Sequence, residues 1–306
     1  MSTLELIKYH SLVFLSALIV AGSFLVSEKL AGIISPVSLT LLRFSGASLI
    51  LLPVVLSRQQ WRSEVLSVLP RGMLVSLFYA VFFIGLFEAL NVTTSLNAGT
   101  LFTLVPFITA VLSVIVLKES MSYVQVIIYV IGFTGTVWVI FGGQLELLMA
   151  FTFNTGDLIF LGAIFFMGFY TVSMKLFYRN DSMIVMVFCT LVGGSFWMGL
   201  VLLLSGQPLQ WELLKAESYL HMLYLIVAAT LMTVYLYQVT TVALGPGRVS
   251  AYIYLNPFLV AMLLFMVDGE LIPSAVFPGI LLSTLATVIL QVRSSVSGRR
   301  VVKSAS

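Results

Sequence analysis

The sequence predicts an all-α membrane protein of ten transmembrane helices, built as two inverted five-helix repeats. Three observations carry that reading: the composition, the length of the apolar runs, and a motif that occurs twice. Of 306 residues, 60% are hydrophobic and 9% are charged, where soluble domains average about a quarter charged. Apolar runs of about twenty residues recur, each long enough to cross a hydrocarbon core of about 30 Å. They are continuous and do not alternate with period two, which favours a helical bundle over a β-barrel.

The repeated motif is NAGTLFTLVPFITAVLSVIVLKE (Asn97 to Glu119) and RVSAYIYLNPFLVAMLLFMVDGE (Arg248 to Glu270), at an offset of 151. Seven of the 23 positions are identical: Leu104/Leu255, Pro106/Pro257, Phe107/Phe258, Ala110/Ala261, Leu112/Leu263, Val116/Val267 and Glu119/Glu270. A second match, at offset 146, sets GSFLVSEKL (Gly22 to Leu30) against GFYTVSMKL (Gly168 to Leu176), with Lys29 opposite Lys175. The matches keep their order, so spans 1–5 and spans 6–10 are copies. Five is odd, so the second copy enters the membrane upside down. Inverted repeats of this kind are typical of secondary transporters, in which rocking of one half against the other gives alternating access.

In chain order, the spans are expected at 11–28, 36–56, 72–90, 97–117, 123–141, 157–175, 183–204, 219–240, 248–267 and 273–291. The first has Lys8 before it and small residues at Ala17, Ala21 and Gly22, as a signal peptide would. The repeat nevertheless requires it as a permanent member. The second carries Arg43, and the third ends on Ala89 and Leu90. The fourth and ninth are the proline-bearing copies. The fifth and tenth carry Gly132, Gly135 and Thr136 against Ser283, Ala286 and Thr287, small residues suited to close helix packing. The sixth opens on Gly156 and Asp157. The seventh holds the single cysteine, Cys189, which has no disulfide or metal-ligand partner pattern around it. The eighth offers Tyr235, Tyr237 and Gln238. This divides the chain into residues 1–142 (first repeat), 143–292 (second repeat) and a basic, Ser-rich tail, 293–306, expected to be disordered.

An even number of spans places both termini on one side. If that side is the cytoplasm, then Lys8, Arg58, Arg62, Arg71, Lys118, Lys175, Arg179, Arg248, Arg293, Arg299, Arg300 and Lys303 lie inside and only Lys29 and Lys215 outside. Twelve against two is a strong positive-inside bias. It implies a plasma membrane, bacterial inner membrane type, with cytoplasmic termini. The net charge of +3 is scattered at helix ends and is no nucleic-acid signal.

Pro106 and Pro257 each lie nine residues into their spans, about 14 Å deep at 1.5 Å per residue, near the middle of the core. Each lacks an N–H and frees the carbonyl four residues earlier, at Phe102 and Ile253. Either the kink serves packing alone, or the two prolines at matched depth shape a cavity and its motion.

Together, Arg43 in LLRF, Ala89–Leu90, the span 4 pattern from Ser95 through Pro106 to Lys118–Glu119, Gly156–Asp157, and the second Pro257…Glu270 resemble the EamA-type members of the drug/metabolite transporter superfamily. The resemblance covers about residues 10–292. It implies ten helices in two inverted repeats, a central substrate path, and export of small metabolites, often amino acids. Two positions depart from it: the tryptophan–glycine pair common in span 1 reads Ala21–Gly22, and Cys189 stands where the repeat would place a partner for Arg43.

Ionisable residues inside a span are costly and point to function. Arg43 and Glu88 either face the outer half of a cavity, where either could meet a zwitterionic substrate, or pair with each other, or snorkel to the interface. Tyr79, Thr103, Gln238, Tyr252, Tyr254 and Asn256 are further cavity candidates, read against interhelical glue and aromatic belts. Asn256, beside the proline at mid-depth, favours the cavity. Glu119 and Glu270 either gate the two ends or mark helix termini.

No catalytic residue, cofactor or metal site is expected. No lysine follows a glycine, so there is no phosphate-binding GK[ST] loop. The two histidines, His10 and His221, form no HExxH motif. The expected partners are a small-molecule substrate and the lipid bilayer, with no nucleic acid, in a monomer or homodimer. The reading is an exporter of amino acids or related compounds; the alternatives are a non-transporting scaffold or receptor, or an uptake transporter for a nucleoside-like solute.

Overall fold

The computed structural model describes residues 3–30, 33–93, 95–269 and 271–303. Among them, ten helices are long and apolar enough to cross a membrane: α1 Leu4–Ser27, α2 Pro36–Ser57, α3 Gln59–Leu90, α4 Asn97–Leu117, α5 Tyr123–Ile140, α6 Thr155–Leu176, α7 Met183–Ser205, α8 Ala216–Leu244, α9 Pro246–Val267 and α10 Ser274–Gln291. Local chemistry starts several of them. Ser35 caps α2, with Pro36 in its first turn, where a missing N–H costs nothing. Reciprocal side-chain and backbone bonds join Ser122 to Gln125 at the start of α5, and Asn154 to Asp157 at the start of α6.

One expectation is corrected. Residues 59–71, read as a connection, are the first turns of α3, and Arg58 alone separates it from α2. Trp61, Val65 and Val68 recur at helical spacing and pack into the core, while Arg62, Ser63 and Leu66 face outwards. Alternation with polar residues hid this face from a search for continuous apolar runs. The last helix is described as far as Lys303.

The repeats interlock. Helix α3 packs on α6 and α7, α2 on α7, α4 on α6 and α9, α5 on α10, and α1 on α8 and α9, while α2 also meets α8. Exchanging each helix with its counterpart five places along maps this set onto itself. The α3–α6 contact becomes α8–α1, α3–α7 becomes α8–α2, and α4–α6 becomes α9–α1. The pairs α2–α7, α4–α9 and α5–α10 map onto themselves. That is the pseudo-two-fold relation of inverted repeats, and it makes the centre of the molecule the boundary between the halves. The small residues of α5 and α10 do pack closely: a Cβ on Gly135 would lie 2.7 Å from the Ser283 nitrogen.

The proline helices are interrupted at corresponding places. In α4, Thr103 and Leu104 form a turn whose N–H groups reach only three residues back, to the Thr100 and Leu101 carbonyls. In α9, Ala251–Leu255 is a 3₁₀ segment. At offset 151, Thr103 matches Tyr254 and Leu104 matches Leu255. The Ile253 carbonyl, which Pro257 cannot bond, accepts the Asn256 N–H.

The helices alternate in direction. One end of the bundle holds the start of α1 and the end of α10 and is called here the terminal end; the other is the far end. Among the described residues there are two ion pairs, both at the terminal end and both joining the first repeat to the second.

Candidate functional site

Arg43 lies on α2 against an irregular stretch of α8. Residues Val227–Met232 of α8 are wound as a π-helix, a local widening that releases backbone carbonyls from their usual partners and is frequent at functional sites. Arg43 Nε donates to Thr230 Oγ1 at 3.0 Å, and its terminal nitrogen donates to the Ala229 carbonyl at 3.2 Å. Thr230 Oγ1 in turn donates to the Leu225 carbonyl at 2.7 Å. The guanidinium therefore rests on neutral oxygens, and no carboxylate among the described residues pairs with it. Two of its five N–H donors are used in these bonds.

Beside it stands an aromatic wall drawn from both repeats. Tyr79 of α3 stacks on Tyr170 of α6 with centroids 4.2 Å apart and planes at 12°. Phe44, next to Arg43, and Phe83 pack on Tyr79 at 5.7 and 4.7 Å. Tyr237 of α8 packs into the same cluster. The Tyr79 hydroxyl lies within electrostatic range of Arg43, Tyr170 and Tyr237. Arg43, Tyr79 and Tyr237 are half-buried. One cation, three phenols and aromatic faces on the boundary between the halves can hold a small ligand bearing an anionic group.

The interior holds further unmet polarity. Ser16 Oγ on α1, Thr109 Oγ1 on α4, Gln238 Oε1 and Thr241 Oγ1 on α8, and Asn256 Oδ1 on α9 are buried without a hydrogen-bond partner. Each such atom costs about 1–3 kcal/mol, a cost that water or a polar ligand removes.

The sequence candidates separate on this geometry. Arg43 and Tyr79 come together, and Asn256 presents an unpartnered amide oxygen at the resumption of α9. Gln238 is buried and donates to the Met174 carbonyl at 3.1 Å, joining α8 to α6. Thr103 donates to the Thr100 carbonyl at 2.6 Å and shapes the break in α4. The Tyr252 hydroxyl meets His10 Nδ1 at 3.1 Å. Two placements differ from expectation. Tyr254 is fully buried and its hydroxyl donates to the Tyr129 carbonyl at 3.1 Å, so it packs α9 on α5 and offers a ligand nothing. Glu88 is exposed at the far end of α3, where it neither neutralises Arg43 nor joins its cluster.

Pro106 is buried in the first turn after the break in α4, and Pro257 opens the matching segment of α9. Glu119 pairs with Lys175 at 2.7 Å, linking the ends of α4 and α6, and both sit close to Gly245 at the α8–α9 corner. Glu270 lies outside the described residues. A second lock, which sequence reasoning missed, joins Arg71 to Asp181 through two hydrogen bonds of 2.5 and 2.9 Å, with a third from Arg71 to the Phe177 carbonyl at 2.9 Å. These bonds hold the Asp181 carboxyl below its ordinary pKa, with the hydrogen bond from Arg71 the leading cause. Asp157, named in the sequence only as opening the sixth span, is fully buried at the far end. It accepts from the Thr93 hydroxyl, from Asn97 Nδ2 at 3.0 Å and from the Asn154 N–H at 2.8 Å, stitching α6 to the α3–α4 corner. The Asn-x-x-Asp spacing before an apolar run was the available signal.

Comparison with known proteins agrees with this architecture. The EamA-like transporter family matches twice, over residues 7–141 and 154–292. The "Uncharacterized transporter YyaM" of Bacillus subtilis (strain 168) is 26% identical over 193 residues, which is 61% of this chain and 62% of that protein. The match thus spans about three-fifths of that relative's length. A crystal structure whose chain is 19% identical superimposes with a TM-score of 0.72, covering 96% of this chain and 98% of that one, a likeness of fold alone. Two matched stretches, one per repeat and together spanning nearly all ten helices, show that the chain belongs to the EamA-like transporter family.

Proposed function

We propose that the chain is a secondary transporter that exports small metabolites carrying an anionic group, amino acids or related compounds, by alternating access. The observation that carries this reading is Arg43, a cation at the boundary between the repeats that leans on neutral oxygens of α8 and has no carboxylate partner among the described residues. A charge held in a membrane interior is expensive unless something balances it. A carboxylate on the substrate supplies that balance, and Tyr79, Tyr170 and Tyr237 supply the wall it lies against. Release follows when the halves rock and the cluster, which draws α2 and α3 from one repeat and α6 and α8 from the other, comes apart.

The excess of Lys and Arg at the terminal end supports cytoplasmic termini in a plasma membrane, with the Glu119–Lys175 and Arg71–Asp181 pairs on the cytoplasmic side. The test is to express wild type and Arg43→Ala at equal membrane levels and profile small molecules in the medium by mass spectrometry. An acid that accumulates outside with wild type and not with the variant supports the reading. Equal accumulation with both removes Arg43 from the path, and accumulation inside the cells with wild type reverses the direction.

A further inference from the structure

Lys29 and Lys175 occupy the same position in the two repeats, at offset 146. Their surroundings differ. Lys175 is neutralised by Glu119 at 2.7 Å. Lys29, at the far end of the bundle, has no ion pair among the described residues. Instead it lines a cavity of about 360 Å³ between the α1–α2 corner and the start of α8. Lys215 and Glu217, exposed like Lys29, line the same cavity, and neither has an ion pair among the described residues. Lys29 and Lys215 are also the only two cations that the ten-span topology places at this end.

Two ammonium groups and a carboxylate thus share one opening without neutralising each other. The arrangement complements a ligand with an anionic group for the lysines and a cationic group for Glu217. Ser218, nearly buried, and His221 add hydrogen-bonding groups, and Ile33 and Leu213 add an apolar lining. The location selects the source. Tyr219, Leu220 and Leu223, on the same first turns of α8 as Glu217 and His221, and Phe24, on α1 five residues before Lys29, are exposed apolar side chains, as expected where a helix meets acyl chains.

We propose that this cavity binds the headgroup of a zwitterionic phospholipid, the phosphate between Lys29 and Lys215 and the amine at Glu217. The site is separate from the Arg43 cluster and stands whether or not that cluster carries a substrate.

The test is native mass spectrometry of the purified chain during stepwise delipidation. The probes are phosphatidylethanolamine, phosphatidylglycerol and soluble glycerophosphoethanolamine. Wild type retains one phosphatidylethanolamine. Lys29→Gln/Lys215→Gln loses retention by about tenfold or more, as expected for removing charge-assisted phosphate contacts. Glu217→Gln loses the preference for phosphatidylethanolamine over phosphatidylglycerol. Lys29→Arg/Lys215→Arg, which keeps the charge, retains the lipid and guards against a folding defect, with melting temperature as the control. Retention by the double Gln variant equal to wild type overturns the site. Displacement of the lipid by an equal concentration of glycerophosphoethanolamine shows a free-anion site and overturns the lipid assignment.

Discussion

Arg43 donates from Nε to Thr230 Oγ1 at 3.0 Å, so a charged side chain of the first repeat is held by a hydroxyl on the π-wound turn of the second. The same turn offers the Ala229 carbonyl to the guanidinium. These bonds hold the charge of the first repeat against the second and use two of the guanidinium's five N–H donors. They also tie the proposed ligand site to the boundary between the repeats.

Arg43→Lys should fail almost as badly as Arg43→Ala. An ammonium keeps the charge but loses the planar fork and the fixed approach to α8. Losing a charge-assisted hydrogen bond costs about 1.5–3 kcal/mol, so affinity for a small acid that binds wild type should fall by about ten- to 150-fold. Binding titrations of the two variants in detergent check this. Lysine restoring most of the affinity would reduce Arg43 to a point charge.

Glu119→Gln should change the conformational balance more than the stability. Both partners are about one-third exposed, at 34% for Glu119 and 36% for Lys175, and pairs of that kind contribute about 0–1 kcal/mol. The pair spans two repeats at the terminal end, so its loss favours separation of α4 from α6 there. Spin-label distances between those helix ends should broaden and lengthen in Glu119→Gln, and return in the exchanged pair Glu119→Lys/Lys175→Glu. An unchanged distribution would leave Glu119 as a helix-end marker.

Asp181 should confer a pH-dependent tether. Its folded pKa lies below the ordinary value because Arg71 bonds the ionised form. The stabilisation is therefore present above the unfolded aspartate value of about 3.9 and is lost as pH falls through the lower folded value. The difference in melting temperature between wild type and Asp181→Asn should be constant near neutral pH and should shrink below about pH 4. A difference that persists undiminished in acid would mean that Asp181 acts through packing.

Gly193→Ala should destabilise without touching the Arg43 cluster. A Cβ there would lie 2.8 Å from the Met73 Cα, where backbone must shift, and closer still to Ser76 Oγ. Overpacking of this kind costs about 1–3 kcal/mol, and α3–α7 is a main seam between the repeats. A lowered melting temperature with unchanged ligand affinity is the expected result.

The span count, the repeat and the breaks at the two prolines were legible because bilayer thickness, period and proline chemistry each leave a mark on the chain. The start of α3 was not, because Trp61, Val65 and Val68 bury one face among polar neighbours. At the site, the isolated charge of Arg43 was visible, but its company was not. Tyr170 and Tyr237 reach Tyr79 through helix packing at long sequence separation, and nothing in the sequence of α8 announces a π-turn at Val227–Met232. Tyr254 is a cavity candidate in sequence as a polar aromatic three residues before Pro257, yet its hydroxyl donates to the Tyr129 carbonyl.

The central claim is that the interior guanidinium of Arg43 takes the anionic group of the substrate. The most direct measurement is the thermal stabilisation of purified wild type and Arg43→Ala by matched pairs of small acids and their uncharged amides. The account predicts that an acid raises the melting temperature of wild type, that its amide does not, and that neither affects the variant. Equal stabilisation by acid and amide, or by the acid in both proteins, would contradict it.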